Sequence, residues 1–183
     1  MHRTFFTRVL VASACVAGFG FTGGSQPPAG LAVLTDAEVL GVYIQVNSFD
    51  IETALLARAQ ATAPSVRALA GQVAKDHLGV RQAAFDLAAT CKVTPTVPNA
   101  RHSSAVEHSR ALTALAALTG AEFDRGYVQH EVAFHRSAIN AVSGALLPAA
   151  TCPALKAHFT KVLPALEHHA KETERLTGEL TAR

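Results

Sequence analysis

The sequence contains no tryptophan, one methionine and two tyrosines, and its eight prolines are confined to a few places. Other absences exclude whole classes of function. No pattern of alternating apolar and polar residues marks the strands of an outer-membrane barrel. The apolar run Val9–Phe21 falls short of the roughly 20 residues needed to span a bilayer core of about 30 Å. No basic patch with interleaved aromatics is present, which argues against nucleic acid as a partner. The cysteines are not spaced as a zinc ribbon or a redox CxxC. There is no pair of E-x-x-H motifs, which di-iron bundles carry on two of their helices. Nothing marks a nucleophile or a substrate cleft, so no enzyme activity can be read from the residues.

The chain of 183 residues suits one domain with a proper core. Hydrophobic residues make up 49% of it, and alanine dominates that fraction. Alanine and leucine favour packed helices over a sheet. The first thirty residues differ: His2, Arg3 and Arg8 are followed by the apolar run and then by Gly23, Gly24, Ser25, Pro27 and Pro28. This order predicts a secretory signal peptide over residues 1–30 and a domain over 31–183. Cleavage is expected between Gly24 and Gly30. The short run before Cys15, the alanine at position 12 and the apolar residues beyond Cys15 argue against lipid attachment at Cys15. The mature chain loses two of its 16 basic residues and none of its 14 acidic ones, leaving a charge near zero. A periplasmic or secreted location follows, with room for a protein partner or a homodimer. Cys91 and Cys152 then remain, and two cysteines in an exported chain suggest one disulfide. Two free or buried thiols are the other reading.

Apolar residues recur at helical spacing in four long segments. The first runs from about Asp36 to Ala61, with Thr35 or Asp36 as cap and Glu38 in its first turn. The second follows the turn Thr62-Ala63-Pro64-Ser65 and runs to about Ala89; so short a turn makes the two antiparallel neighbours. Residues 92–101 contain Pro95 and Pro98 and form a loop. Ser103–Leu118 is a shorter helical stretch closed by Gly120. The third long segment runs from Ala121 to about Leu146, and the fourth begins at Pro153 with Pro164 inside it. The expected fold is an all-α, ferritin-like four-helix bundle with a long crossover between the second and third helices. A connector that climbs the bundle brings Cys91 and Cys152 to the same end; without it, helices of about 25 residues would hold them roughly 35 Å apart.

Each long segment places one metal-type side chain on its apolar stripe at similar depth: Glu52, His77, His135 and His169. Three histidines and a glutamate suit zinc, iron, manganese or copper by donor type. Asp76, Asp124, His130, Glu131 and His168 are candidates for extra ligands or supporting hydrogen bonds. The same four residues can instead form a buried hydrogen-bonded network that holds the bundle in register without metal.

Residues 34–177 resemble the bacterial DUF4142 family. The marks are Asp76-His77 in the second helix; Gly120-Ala121-Glu122-Phe123-Asp124-Arg125-Gly126-Tyr127 followed by His135; and Leu163-Pro164-Ala165-Leu166 followed by His169. Glu52 matches the family's glutamate in the first helix, whereas Asn47, Phe49 and Asp50 stand where many members carry smaller or apolar residues. The resemblance implies an exported protein with a ferritin-like four-helix fold and no settled biochemical function, in a family whose members are often labelled outer membrane proteins. It picks out Glu52, His77, His135 and His169 again and supplies no enzyme activity.

Overall fold

The computed structural model describes residues 34–181. The expected signal peptide, residues 1–30, and Cys15 lie outside them. Helix α1 (Asp36–Gln60) opens on a capping box, in which the Glu38 backbone N–H donates to Thr35 Oγ1 and the Thr35 N–H donates to the Glu38 carboxylate at 2.9 Å. Helix α2 (Pro64–Cys91) starts with proline in its first turn, where a missing N–H is harmless. The turn between them is fastened by Asp124, whose carboxylate accepts from the N–H groups of Thr62 and Ala63 and from the Thr62 hydroxyl. Helix α2 stops at Lys92, which adopts the left-handed conformation at φ 56°.

The chain then crosses α1, with the Thr96 N–H donating to the Ala37 carbonyl at 3.0 Å. A Cβ at position 41 would stand 2.0 Å from the Thr96 carbonyl oxygen, so only glycine allows this crossing. Helix α3 (His102–Ala116) packs against α1 and α4. Helix α4 (Gly120–Ala141) continues through a π-helical turn, Val142–Leu146, and a last short turn, Leu147–Ala149. Helix α5 (Pro153–Thr181) contains Pro164.

Asp36, at the start of α1, accepts from the N–H groups of Thr151 and Cys152 and from the Thr151 hydroxyl. Cys91 and Cys152 form a disulfide at this same end. The starts of α1 and α5 and the ends of α2 and α4 therefore gather together, and α3 carries the chain back to the other end. Crosslinking cysteines 61 positions apart restricts the unfolded chain by roughly 4 kcal/mol in the chain-entropy picture.

The long crossover is present, but the expected ferritin-like four-helix bundle is not. The connector is a full helix of 15 residues, rising roughly 22 Å and packed on two neighbours. Among the described residues the fold is an all-α domain of five helices. The Ala- and Leu-rich stretch is helical as its composition predicts, but it is a packed element in contact with α1 and α4 rather than a link between hairpins.

The core falls into layers. At the disulfide end Val39, Leu40, Tyr43, Val142, Leu146, Leu155 and Phe159 are buried together. At the opposite end Ala57, Val66, Leu115, Phe123, Tyr127, Val128 and Leu176 form a second apolar cluster. The polar residues Asn47, Asp50, Thr53, His77, Glu131, His135 and Thr173 are buried as well. No helix among the described residues is long and apolar enough to cross a membrane.

Candidate metal centre

The buried polar residues occupy core positions of four helices. On α1, Tyr43, Asn47, Asp50, Ala54 and Ala57 follow one another at three- and four-residue spacing, and all are buried. On α2 the same spacing runs through Ala70, Val73, His77, the half-buried Val80, Ala84 and Ala88, and on α4 through Tyr127, Glu131, His135, Ala138 and Val142. Helix α5 adds His169, half-buried, between Leu166 and Thr173. The depth of His169 matches that of His135 because α4 is longer than its sequence pattern indicates. Ala149 lies 14 positions beyond His135, and His169 lies 16 beyond Pro153.

His77, His135 and His169 each offer a ring nitrogen to a set whose members lie within 4.8 Å of one another. Their ring centroids are 5.6–6.0 Å apart. Asp50, Glu131 and His135 form a second such set, so His135 belongs to both. Each imidazole is held by its other nitrogen. His77 Nδ1 lies 2.9 Å from Asn47 Oδ1, and the Asn47 amide is itself oriented by donating to the Tyr43 carbonyl at 2.8 Å. His135 Nδ1 donates to the Glu131 backbone carbonyl at 3.0 Å. His169 Nε2 donates to Asp76 at 3.0 Å. Bonds of this kind select the tautomer and leave a lone pair on the remaining nitrogen.

Those remaining atoms meet few donors. His135 Nε2, His169 Nδ1, Asp50 Oδ1 and Glu131 Oε2 are buried without a hydrogen-bond partner. Asp50 Oδ2 lies 3.0 Å from His77 Nε2 and 3.8 Å from His135 Nε2. Glu131 Oε1 accepts a long bond from Thr53 at 3.4 Å. Facing lone pairs in a water-poor interior repel unless a proton or a cation stands between them.

The electrostatics follow from burial. Desolvation lowers His77 to about 3 and His135 to about 4, with the neighbouring imidazoles adding to the shift, so both rings are neutral at pH 7. Burial pushes Asp50 up to about 7. Burial, and then the adjacent Asp50 carboxylate, raise Glu131 well above its ordinary range. A neutral imidazole binds a metal ion without first losing a proton, whereas the carboxyl protons that burial retains must be displaced by the ion.

His77, His135 and His169 come together. Glu52 does not join them, which corrects the expectation that it would converge with the histidines. It stands two residues beyond Asp50, a rotation of about 200° on a helix, and its half-exposed carboxylate accepts from His108 Nε2 at 2.9 Å. The carboxylate that α1 brings to the cluster is Asp50. Glu131 lies inside the cluster, and Asp76 supports it through His169. Asp124 fastens the α1–α2 turn, His168 is exposed, and His130 lies beside the α3 cleft with Phe49, His108 and Phe134. None of Glu52, Asp124, His130 and His168 belongs to either ligand set among the described residues. Asp50 and Asn47 are not among the residues expected from sequence, although their spacing from Tyr43 and Ala54 places them on the buried face. Polar residues at core positions of a helix were the available signal.

No curated protein matches the chain. The crystal structure of a DUF305 protein from Streptomyces coelicolor is similar in fold, with a TM-score of 0.68 at 15% identity, over 80% of this chain and 93% of that one. A family model described as "Domain of unknown function (DUF4142)" matches residues 22–176. With most of its length and the whole histidine cluster inside that match, the chain belongs to the DUF4142 family.

Proposed function

We propose that this is an exported protein, periplasmic or secreted, that binds one transition-metal ion in its core. His77, His135 and His169 would serve as nitrogen ligands, with Asp50 and Glu131 as the adjoining carboxylates. The observation that carries the reading is the set of buried lone pairs on His135, His169, Asp50 and Glu131 that have no hydrogen-bond partner, in a cluster whose three imidazoles are already oriented by their outer nitrogens. Imidazole and carboxylate donors suit zinc, iron, manganese or copper(II), and the absence of a thiolate from the set disfavours sites that require soft sulfur. The chemistry such an ion supplies is Lewis acidity or redox exchange. The residues themselves would hold it, exclude water from one side and take up or release protons.

The test is elemental analysis of the purified protein after it is offered each of the four ions. One equivalent should be retained. His77→Ala should weaken retention far more than His130→Ala, since His130 lies in neither ligand set. Binding should release protons, and acid should expel the ion as the imidazoles protonate. If no ion is retained and His77→Ala lowers stability equally with and without chelator, the cluster is a hydrogen-bonded structural network and the metal reading fails.

A further inference from the structure

A cleft of about 510 Å³ reaches the histidine cluster from one side. This volume falls within the usual range for small-molecule sites. Its walls come from α2 and α5 and its floor from α1 and α4. Gly79, Ala83, Ala138, Ala141 and Ala165 keep it open, and valines and leucines supply most of the remaining surface. His77 and His169 line both the cleft and the cluster, whereas Asp50, Glu131 and His135 do not line the cleft.

The polar groups of the cleft are unevenly disposed. Tyr43 and His158 are hydrogen-bonded to each other at 3.0 Å and make no demand on a ligand. His169, eleven positions further along α5, has Nδ1 buried and unpartnered. The helical rise between His158 and His169 is about 16 Å. Lys75, exposed on α2 next to Asp76 and His77, brings a positive charge to the histidine end. The Asp76 carboxylate is engaged by His169 and Gln72. The cleft thus presents a long apolar trough with Lys75, the engaged Asp76 carboxylate and the nitrogen donors His77 and His169 at one end.

We propose that this cleft binds a free single-chain amphiphile with one carboxylate head, its alkyl chain lying along α5 and its head meeting His77 and His169. The chain part rests on the cleft alone. The head part rests on the metal reading above, because an ion held by His77 and His169, which line the cleft, would offer the carboxylate a Lewis-acidic partner there.

Dodecanoate, used below its micellar concentration, is the probe, titrated calorimetrically into the protein with and without one equivalent of zinc. One dodecanoate should bind per chain, and dodecan-1-ol should bind about 10-fold more weakly to the zinc-loaded protein. Ala165→Phe and Gly79→Leu alter exposed positions at the mouth, and a Cβ at position 79 meets open space, so both variants should fold. Each should weaken dodecanoate by about 10-fold or more and leave zinc uptake unchanged. Should the protein retain no zinc yet bind dodecanoate in a manner blocked by Ala165→Phe, the metal reading fails and the amphiphile site stands. Absence of dodecanoate binding, or binding indifferent to both variants, overturns the proposal. So does a dimer that Ala165→Phe converts to monomer, since a second copy would then be the occupant of the cleft.

Discussion

At the disulfide end, Leu40, Val142, Leu155 and Phe159 meet as apolar surfaces with nothing left unsatisfied. Further along the same helices, Asn47, Asp50, His77, Glu131 and His135 are buried just as deeply, yet several of their polar atoms lack partners. The helix faces are continuous and the burial is equal, so position in the fold does not explain the difference. The apolar layer is explained by packing alone, because removing its side chains from water is favourable in itself. The polar layer gains little from burial, and its groups must recover their desolvation cost from one another or from something bound. This contrast predicts that the two regions respond to different perturbations.

The largest effect should come from the apolar layer. Phe159 is fully buried and packs edge-on against Tyr43 at 4.9 Å. Phe159→Ala should cost about 3–5 kcal/mol of stability, measured by urea unfolding of the metal-free protein, while metal stoichiometry stays at its wild-type value. If the variant loses metal while keeping its stability, the two layers are not separable in this way.

Next comes a change that touches the polar layer from outside. Asp76 accepts from His169 Nε2 and so decides which nitrogen of that ring carries the lone pair. Asp76→Asn should weaken metal binding by about 10- to 100-fold, the usual effect of disturbing a ligand's outer hydrogen bond. Competition with a chromophoric chelator would read this directly, and unfolding should show only a small change. An unchanged affinity would mean that His169 is not a ligand.

These two residues also show how much the sequence revealed. Phe159 and His169 stand in a plain helical repeat, and the period alone placed them on the inner face of α5. His77 and His135 were legible for the same reason. Glu52 has the right depth along α1 but the wrong angle, since two residues beyond Asp50 turn it to the outer face. Asp50, seven residues from both Tyr43 and Ala57, is the carboxylate of α1 that points inward. The fifth helix was visible as a helix; its packing on α1 and α4 was not, because most of its residues remain exposed and only Leu115 is buried. The π-helical turn after Ala141 has no period of its own, so the true length of α4, and with it the level of His135, was beyond the pattern.

Acid should sharpen the contrast further. His77 and His135 are lowered from 6.5 to about 3 and about 4, so as pH falls below 6.5 the unfolded chain takes up protons that the folded chain refuses. That contribution to stability is present above 6.5 and is lost on acidification. Asp50, raised from 3.8 to about 7, and Glu131, also raised, act in the opposite sense. The folded chain keeps their protons while the unfolded chain releases them, so their contribution is full below the unfolded values and is lost as pH rises. Two groups of each sign nearly cancel between about pH 4.5 and 6.5, and the metal-free protein should unfold at nearly constant temperature across that window. Asp50→Asn removes one compensating carboxyl. Its stability should then fall on acidification by up to about 1.4 kcal/mol per pH unit. Equal slopes for the two proteins would show that the carboxyls and imidazoles do not share protons in this way.

The smallest expected effect is at Glu52, and it tests the contrast between inside and outside on a single helix. Glu52 and Asp50 are both acidic and two positions apart, yet Asp50 is fully buried while the Glu52 side chain is 54% exposed. Its partner His108 stacks on Phe49 with ring centroids 4.1 Å apart, so the histidine is positioned by the aromatic ring as well as by the carboxylate. An exposed pair of this kind is screened by water and contributes little. Glu52→Gln keeps the shape and an acceptor oxygen for His108, so stability should stay within about 0.5 kcal/mol of wild type. Metal affinity should be unchanged as well, whereas Asp50→Asn should reduce it. The informative measurement is the ratio of the two effects, taken on the same preparation with the same chelator. A Glu52→Gln variant that lost its metal while Asp50→Asn retained it would reverse the placement of α1 and overturn the candidate centre built on Asp50.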